Sequence, residues 1–227
     1  MRHAPLSRSP KGEVTPYYDV AVLGDTACGK SSIIERLLSG TFTETYTPTA
    51  AEVYMTTLHE DDRRVACLQL FDTAGGFEFP MMLRLTITKC QAFFVVYSVG
   101  SQKSLEVAKK QLEEIALVKG KRFPCVLVGN MKDLDSSDER EVSSEKGLRT
   151  AVQYGCAYIE TSAMNGTDIK ESFLSLVKKI EFNAEMKRQL FRQQHKSPPK
   201  EKSKSGVAKF LINLSRSSSV SSDDDEE

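Results

Sequence analysis

The sequence predicts an α/β fold in a single domain: a doubly wound, mostly parallel six-stranded sheet with one antiparallel hairpin strand. Short apolar runs alternate with stretches of helical periodicity from residue 17 to residue 186. Several runs are apolar at consecutive positions, which is typical of strands buried on both faces of a parallel sheet. One segment, EVYMTTLHEDDRRVACLQLF, instead places two strand-like runs on either side of a charged turn. That arrangement predicts the antiparallel hairpin.

The predicted elements follow one another in a regular order. Strands are predicted in the runs DVAVLG, EVYMTTLH, VACLQLF, AFFVVYSV, PCVLVGN and AYIET. A helix after the fourth run has an apolar face formed by Leu105, Ala108, Leu112, Ile115 and Ala116. The last helix has an apolar face formed by Ile169, Phe173, Leu176, Val177 and Ile180. A capping box of Asp168 and Glu171 is predicted at its start.

Composition and the chain ends limit the function classes. The composition of residues 1–16 predicts a flexible N-terminal arm. That of residues 187–227 predicts a disordered tail, which is first basic, then acidic and rich in serine. The 227 residues carry no formal net charge, which gives no reason to expect a nucleic-acid partner. The five cysteines include no C-x-x-C pair, which disfavours disulfides or a zinc site and fits a reducing compartment. With no apolar span, signal peptide or lipidation motif, we expect a cytoplasmic protein without a covalent lipid. We also expect a monomer.

The segment GDTACGKSS fits the pattern G-x-x-x-x-G-K-[ST], follows a predicted strand and opens a predicted helix. Its glycines let backbone N–H groups turn towards phosphate oxygens, and the helix N-terminus adds its dipole. We expect Lys30 to reach the β- and γ-phosphates of a nucleotide and the Ser31 hydroxyl to bind Mg²⁺. Cys28 is either a redox handle or a small apolar filler. The predicted nucleotide-binding residues of this P-loop are Gly24, Asp25, Thr26, Ala27, Cys28, Gly29, Lys30, Ser31 and Ser32.

The segments VGNMKDL and ETSAM indicate which base is bound. The first ends the fifth predicted strand, at the carboxyl edge where doubly wound sheets bind ligands. Asp133 can accept hydrogen bonds from N1–H and from the exocyclic amine of guanine, a donor pair that adenine lacks. Asn130 can support the base edge and tie the loops together. In ETSAM the Ala163 N–H could face guanine O6, with Ser162 and Met164 beside it. The segments favour GTP or GDP and argue against an ATPase or a kinase.

Over roughly residues 17 to 186 the chain resembles a Ras-superfamily small GTPase, which is a P-loop NTPase. The segment FPMMLRLTITKCQAFFVVYSV is most similar to the Di-Ras branch. The resemblance implies that Thr49 is the switch I threonine, which binds Mg²⁺ and the γ-phosphate. It also implies that Asp72 holds Mg²⁺ through water, that Phe42 packs edgewise on the guanine, and that the Gly75 N–H meets the γ-phosphate in switch II. Tyr46 belongs to the same set of nucleotide contacts.

The same resemblance implies protein partners. Effector proteins would bind through switch I and switch II, and an exchange factor and a GTPase-activating protein would act on the nucleotide. The switch I residues assigned to effector binding are Tyr46, Thr47, Pro48, Thr49, Ala50, Ala51 and Glu52.

The chain departs from the family pattern in three ways around the phosphates and the effector strip. Gly76 stands where the family usually has a water-orienting glutamine, so GTP hydrolysis is expected to be slow. Thr26 stands where Ras has a glycine, and Ala50 and Ala51 replace an isoleucine and a glutamate. The residues assigned to catalysis are Lys30, Thr49, Gly75 and Gly76.

A fourth departure lies beside the base, where Met131 and Met164 replace the two lysines of the family. Lys132 lies one position after the place of the family's lysine, so its side chain should point away from the base. Methionine keeps an apolar stem but loses charge-assisted hydrogen bonds. We therefore expect stacking on the base to survive, the tie between the guanine loop and the P-loop to be lost, and nucleotide release to be fast. The alternative is that either methionine fills the core.

Together these features predict a guanine-nucleotide-dependent signalling switch, and the alternative is a GTP-loaded scaffold that does not cycle. Residues 187–216 carry nine Lys or Arg side chains against one Glu. Such a run predicts electrostatic contact with an anionic membrane, at the inner face of the plasma membrane and without a lipid anchor. The alternative for this segment is a solvated tail.

Overall fold

The computed structural model describes residues 15–44, 49, 51–61, 63–75, 80–120, 122–136 and 138–194. Most of the predicted N-terminal arm and the chain after residue 194 lie outside the described residues. Contacts between residues divide the chain into two units, 1–187 and 188–227. All strands and the first four helices belong to the first unit.

Within the described residues the chain forms six strands and five α-helices. The strands are β1 (Tyr17–Gly24), β2 (Ala51–Glu60), β3 (Arg63–Thr73), β4 (Ala92–Ser98), β5 (Cys125–Asn130) and β6 (Ala157–Glu160). The helices are α1 (Lys30–Ser39), α2 (Pro80–Lys89), α3 (Gln102–Lys119), α4 (Ser144–Tyr154) and α5 (Ile169–Gln194), and a 3₁₀ helix covers Lys132–Ser136.

The strands form one sheet in the order β2-β3-β1-β4-β5-β6. β2 and β3 are antiparallel, and the other neighbouring pairs are parallel. The predicted fold class is therefore confirmed, including the single antiparallel hairpin strand. The chain winds outwards from β1 in both directions, which brings the loops that follow the parallel strands to one edge of the sheet, where ligands bind in such folds.

Both faces of the sheet are covered, and the neighbouring strands β4 and β5 are buried along their whole length. Successive side chains of a strand point to opposite faces, so neighbouring phenylalanines of β4 enter different cores. Phe94 stacks on Phe173 of α5 with ring centroids 4.3 Å apart, whereas Phe93 meets Phe123 edge-on at 6.0 Å. The rigid sheet between these cores fixes the positions of the loops at its carboxyl edge.

The apolar faces predicted for α3 and α5 are buried, but α5 differs from prediction at both ends. The capping box with Glu171 is not formed, because Asp168 has a φ of 55°, unlike the extended backbone of an N-cap residue. The Asp168 carboxylate instead lies 3.6 Å from Lys132 Nζ. α5 also continues to Gln194, so residues 187–194 of the predicted tail are helical. Their sequence, KRQLFRQQ, contains neither proline nor glycine to end the helix.

No helix in the described part of the chain is both long enough and apolar enough to cross a lipid bilayer.

Candidate nucleotide-binding site

The loop between β1 and α1 turns sharply through residues with positive φ. Gly24, Ala27 and Gly29 have φ angles of 150°, 60° and 90°. α1 begins directly after Gly29, which has no side chain to cap it, so the first backbone N–H groups of the helix are free to meet an anion. A Cβ atom at Gly24 would collide with the carbonyl oxygen of Val96. The P-loop prediction therefore falls on a loop whose shape suits phosphate.

Lys30, the first residue of α1, is buried beside this loop and is 6% exposed. Its Nζ donates a hydrogen bond to the Asp25 carbonyl oxygen at 2.8 Å, and the Asp25 carboxylate accepts one from Thr26 N at 2.8 Å. A buried ammonium group is thereby held where the sequence predicts phosphate oxygens.

Three oxygen-bearing side chains from separate segments meet at the start of α1. The Ser31 hydroxyl lies 2.8 Å from the Thr49 hydroxyl and donates to Asp72 Oδ2 at 2.6 Å. Asp72 is 1% exposed, and its Oδ1 has no hydrogen-bond partner among the described residues. Burial raises the pKa of this carboxyl group, an effect that the Ser31 hydrogen bond and the Lys30 charge only partly offset.

This group of three fits the predicted Mg²⁺ site. Hydroxyl and carboxylate oxygens are the ligands that a hard divalent cation takes. A buried carboxylate oxygen without a partner costs free energy unless a cation or a donor satisfies it. A bound cation would satisfy the Oδ1 of Asp72, which has no hydrogen-bond partner among the described residues.

The segment after β3 approaches the P-loop closely. A Cβ atom at Gly75 would overlap the backbone of Thr26, so only glycine fits at this contact. Gly76, which the sequence predicts to stand in place of a water-orienting glutamine, lies outside the described residues. Four switch I residues also lie outside them: Tyr46, Thr47, Pro48 and Ala50. Ala51 and Glu52 begin β2 and are exposed.

On the base side, the Asn130 side chain connects three loops. Its Nδ2 donates to the Cys28 carbonyl oxygen in the P-loop at 3.1 Å. Its Oδ1 accepts hydrogen bonds from the Thr161 hydroxyl and the Ala163 N–H, each at 3.2 Å. The Ala163 N–H, predicted to face guanine O6, is thus already held by Asn130. Among the described residues, these bonds place the guanine-loop asparagine at the centre of the site.

Asp133 and Lys132 attach the same loop to the segment that follows β6. The Ser162 hydroxyl donates to Asp133 Oδ1, which fixes the carboxylate predicted to read the base. The Lys132 N–H donates to the Thr161 carbonyl oxygen at 2.9 Å, and its ammonium group pairs with Asp168. The Lys132 side chain therefore points elsewhere, as expected.

The two methionines have different surroundings. Met131 has a φ of 66°, packs against the core between the sheet and α3, and accepts a hydrogen bond on Sδ from the Ser98 hydroxyl at 3.0 Å. Met164 is 46% exposed. Core filling therefore describes the packing of Met131 but not that of Met164. The predicted loss of the tie between guanine loop and P-loop is wrong, because Asn130 joins them.

Arg36 in the last turn of α1 was not among the predicted site residues. Its Nε donates to the Ala163 carbonyl oxygen at 2.7 Å, and its Nη2 donates to the Met164 carbonyl oxygen. The guanidinium carbon also lies 5.9 Å from the centroid of the Phe42 ring. A basic residue in the last turn of a helix is a common sequence pattern, so nothing in the sequence distinguished this arginine from an ordinary one.

Cys28 behaves as the filler of the two alternatives. It is 1% exposed, and its Sγ donates to the Val96 carbonyl oxygen at 3.4 Å. Burial raises the pKa of the thiol to about 11, which leaves little of the thiolate that redox or alkylation chemistry requires.

Comparisons with known proteins agree with this geometry. The Ras family model matches residues 19–182. GTP-binding protein drn-1 of Caenorhabditis elegans is 42% identical over 166 residues, covering 72% of this chain and 75% of that protein. GTP-binding protein Di-Ras2 of Mus musculus is 41% identical over 162 residues, covering 70% and 80%. GTP-binding protein Di-Ras1 of Homo sapiens is 39% identical over the same length and with the same coverage.

Proposed function

Because the chain belongs to the Ras family of small GTPases and resembles its Di-Ras branch, we propose that it is a guanine-nucleotide switch that binds GTP and GDP with Mg²⁺ and hydrolyses GTP slowly. The single observation that carries the proposal is the meeting of two groups around one P-loop. Ser31, Thr49 and Asp72 lie at its phosphate side. Asn130 and Asp133 lie at its base side.

On the phosphate side, Lys30 and the N-terminus of α1 would bind the phosphate oxygens. Ser31 and Thr49 would hold Mg²⁺ directly and Asp72 would hold it through water. When bound, Mg²⁺ neutralises charge that develops on the phosphate oxygens. The Gly75 N–H would bind the γ-phosphate, a role supported by the close approach of Gly75 to the P-loop.

On the base side, Asp133 would accept the N1–H and the exocyclic amine of guanine. The Ser162 hydroxyl orients this carboxylate. The Ala163 N–H, which donates to Asn130 Oδ1, would share its hydrogen between that oxygen and guanine O6. Phe42 would pack edgewise on the ring, and the exposed Met164 would lay its stem along it. Adenine offers Asp133 no such pair of donors, so ATP is excluded by unsatisfied polar groups.

Slow hydrolysis follows from Gly76, which has no side chain to orient the attacking water. Phosphoryl transfer in this fold depends on positioning and charge stabilisation, so Lys30 and Mg²⁺ would supply the remaining rate. Catalysis is assigned to Lys30, Thr49, Gly75 and Gly76. No observation on the described residues favours the alternative of a scaffold that does not cycle.

Two measurements test this function. Fluorescent GDP should be displaced from the purified chain by GTP and not by ATP, and equal competition by ATP would refute the guanine assignment. In single-turnover hydrolysis, Gly76→Gln should release phosphate about tenfold faster than the wild type, because the amide positions the water. Fast hydrolysis by the wild type would show that another group holds the water.

We also propose effector binding through switch I and switch II, with an exchange factor and a GTPase-activating protein as further partners. The cell compartment proposed is the cytoplasm, with peripheral contact at the inner face of the plasma membrane. That contact would depend on the basic residues between 187 and 216. Binding to vesicles containing anionic lipid should weaken at high salt and disappear when residues 187–227 are deleted. Binding that survives both changes would refute the contact.

A further inference from the structure

Arg36 binds the loop after β6 through main-chain oxygens. Its Nε donates to the Ala163 carbonyl oxygen at 2.7 Å, and its Nη2 donates to that of Met164. Its Nη1 donates to the carbonyl oxygen of Gly40, directly after α1, at 2.6 Å. All three guanidinium nitrogens therefore donate to carbonyl oxygens, and hydrogen bonds from a charged donor are stronger than neutral ones.

These carbonyl oxygens belong to the segments that would enclose the base. Ala163 carries the N–H assigned to guanine O6, and Gly40 lies two residues before Phe42, over whose ring the guanidinium group sits. Asn130 holds Ala163 from the side of β5 through the N–H. Arg36 holds the same residue from the side of α1 through the carbonyl oxygen. The backbone of residue 163 is therefore held at both its N–H and its carbonyl oxygen, each by a different element.

The charge on Arg36 matters because the base side lacks the two lysines of the family. Met131 and Met164 supply no charged donor, and the ammonium group of Lys132 is directed to Asp168. Among the described residues around this loop, Arg36 is the basic side chain that donates hydrogen bonds from α1 to residues 163 and 164. A planar group with fixed donors can hold two adjacent carbonyl oxygens at once, which an ammonium group does less well.

We propose that Arg36 is a positioning residue that sets the rate of guanine-nucleotide release by clamping residues 163–164 and Phe42 against α1. The proposal rests on the guanine site described under the proposed function. Among the described residues, the hydrogen bonds of Arg36 go to Ala163, Gly40 and Met164 and not to the Ser31, Thr49 and Asp72 group. Its removal should therefore loosen the base side and leave that group as it is.

The experiment compares release of a fluorescent GDP from the full chain and from Arg36→Ala, Arg36→Lys and Arg149→Ala. Arg149 is a matched control, because it is an exposed helical arginine paired with Glu145 four residues earlier. We expect about tenfold faster release from Arg36→Ala, an intermediate rate from Arg36→Lys and the wild-type rate from Arg149→Ala. The factor by which EDTA accelerates release should be equal in all four proteins, since EDTA acts on the cation site.

Each outcome bears on one claim. Failure of the wild type to bind GDP would refute the proposed function. Wild-type binding with an unchanged release rate in Arg36→Ala would overturn the clamp alone. A changed EDTA factor would also overturn it, by showing that the effect reaches the phosphate side. If Arg36→Ala and Arg36→Lys both unfold at the temperature of the assay, Arg36 holds the domain together, and the clamp is likewise overturned.

Discussion

The phosphate side and the base side of the site differ in how completely their polar groups are paired. On the phosphate side, Asp72 buries a carboxylate oxygen that has no partner among the described residues. On the base side, Asn130 makes three hydrogen bonds to two other loops, and Asp133 accepts one from Ser162. The base side is held by hydrogen bonds within the protein. The phosphate side keeps a buried charge that an opposite charge would stabilise.

This difference separates the selectivity of the site for a nucleotide from its dependence on Mg²⁺. A base side that is already in place loses little conformational entropy when a nucleotide binds, so its hydrogen bonds can serve selectivity. A phosphate side with an unpaired carboxylate makes binding depend on the cation that accompanies the phosphates. We therefore expect changes on the base side to alter which nucleotide binds, and changes on the phosphate side to alter how binding responds to Mg²⁺.

The largest effect should come from Asp133→Asn. The amide oxygen of asparagine can still accept from Ser162, but its NH₂ group opposes the guanine donors. Affinity for GTP should fall by about a thousandfold, and xanthosine triphosphate should bind instead. Competition against a fluorescent nucleotide measures the affinities for GTP and for xanthosine triphosphate. Asp135→Asn, two residues later and exposed, should leave the preference unchanged, and GTP affinity that survives in Asp133→Asn would show that another group reads the base.

Asp72→Asn should break the phosphate side in a different way. Affinity for GDP without Mg²⁺ should change little, whereas the slowing of release by Mg²⁺ should shrink by roughly 10–100-fold, because an outer ligand of the cation has lost its charge. Release rates with and without EDTA measure this. Asp19→Asn is the control, since Asp19 also has a carboxylate oxygen without a partner among the described residues but lies near the other end of β1. An equal loss in both variants would contradict the assignment.

Glu160, the last residue of β6, directly precedes Thr161 of the base side. Its ion pair with Arg140 tests how far β6 supports that side. Its carboxylate accepts from Arg140 Nη2 at 2.5 Å and from the Tyr158 hydroxyl at 2.6 Å. Burial alone would raise the pKa of Glu160, but the hydrogen bonds from Arg140, Tyr158 and Ser144 outweigh it and lower the pKa below 4.5. Arg140→Met should cost about 2 kcal/mol of unfolding free energy at pH 7.

The sign of the pH dependence follows from the lowered pKa. Glu160 stabilises the fold above its ordinary pKa of 4.5, and this contribution disappears as the pH falls through the lower folded value. The gap between wild type and Arg140→Met in urea unfolding should therefore narrow below pH 4.5. Arg149→Met removes only an exposed pair and should change stability little. A gap that stays constant with pH would mean that packing of the Arg140 stem, not the ion pair, stabilises the strand.

The smallest effect is expected from Met131→Lys. A lysine there could restore one charge-assisted hydrogen bond near the nucleotide, but it would also give up the packing of Met131 beside Ser98. Release of GDP should slow by about threefold. Met81→Lys, at an exposed position of α2, controls for the added charge. Release at the wild-type rate or faster would indicate that Met131 acts through the core alone.

The sequence predicted those parts of the site that are encoded by neighbouring residues. The P-loop is one continuous loop, so its glycines, Lys30 and Ser31 could be identified from spacing. Asn130 and Asp133 are three residues apart at the end of a strand whose burial was evident from its apolar run. In each case the short separation along the chain fixes the geometry, and the structure adds the distances.

Features that depend on distant contacts could not be predicted. Arg36 meets Ala163 across 127 residues of sequence, and nothing around either residue indicates the partner. Asp168 has the sequence of a helix cap, but it has a positive φ and pairs with Lys132, which is distant in sequence and lies in the loop after β5. The sequence indicated that Asn130 can tie the loops together, but it did not show that the tie survives without the two lysines, because the bond from Asn130 to the Cys28 carbonyl oxygen depends on the positions of both loops.

The acceptors of Arg36 are carbonyl oxygens of the main chain, and that has a consequence for sequence variation. Every amino acid carries the same carbonyl group, so a substitution at 163 or 164 leaves these acceptors present whatever side chain it introduces. A clamp of this kind does not have to be rebuilt when its partner residue mutates. Position 164 can therefore carry methionine, lysine or another side chain, and can diversify the surface beside the base, without losing these hydrogen bonds.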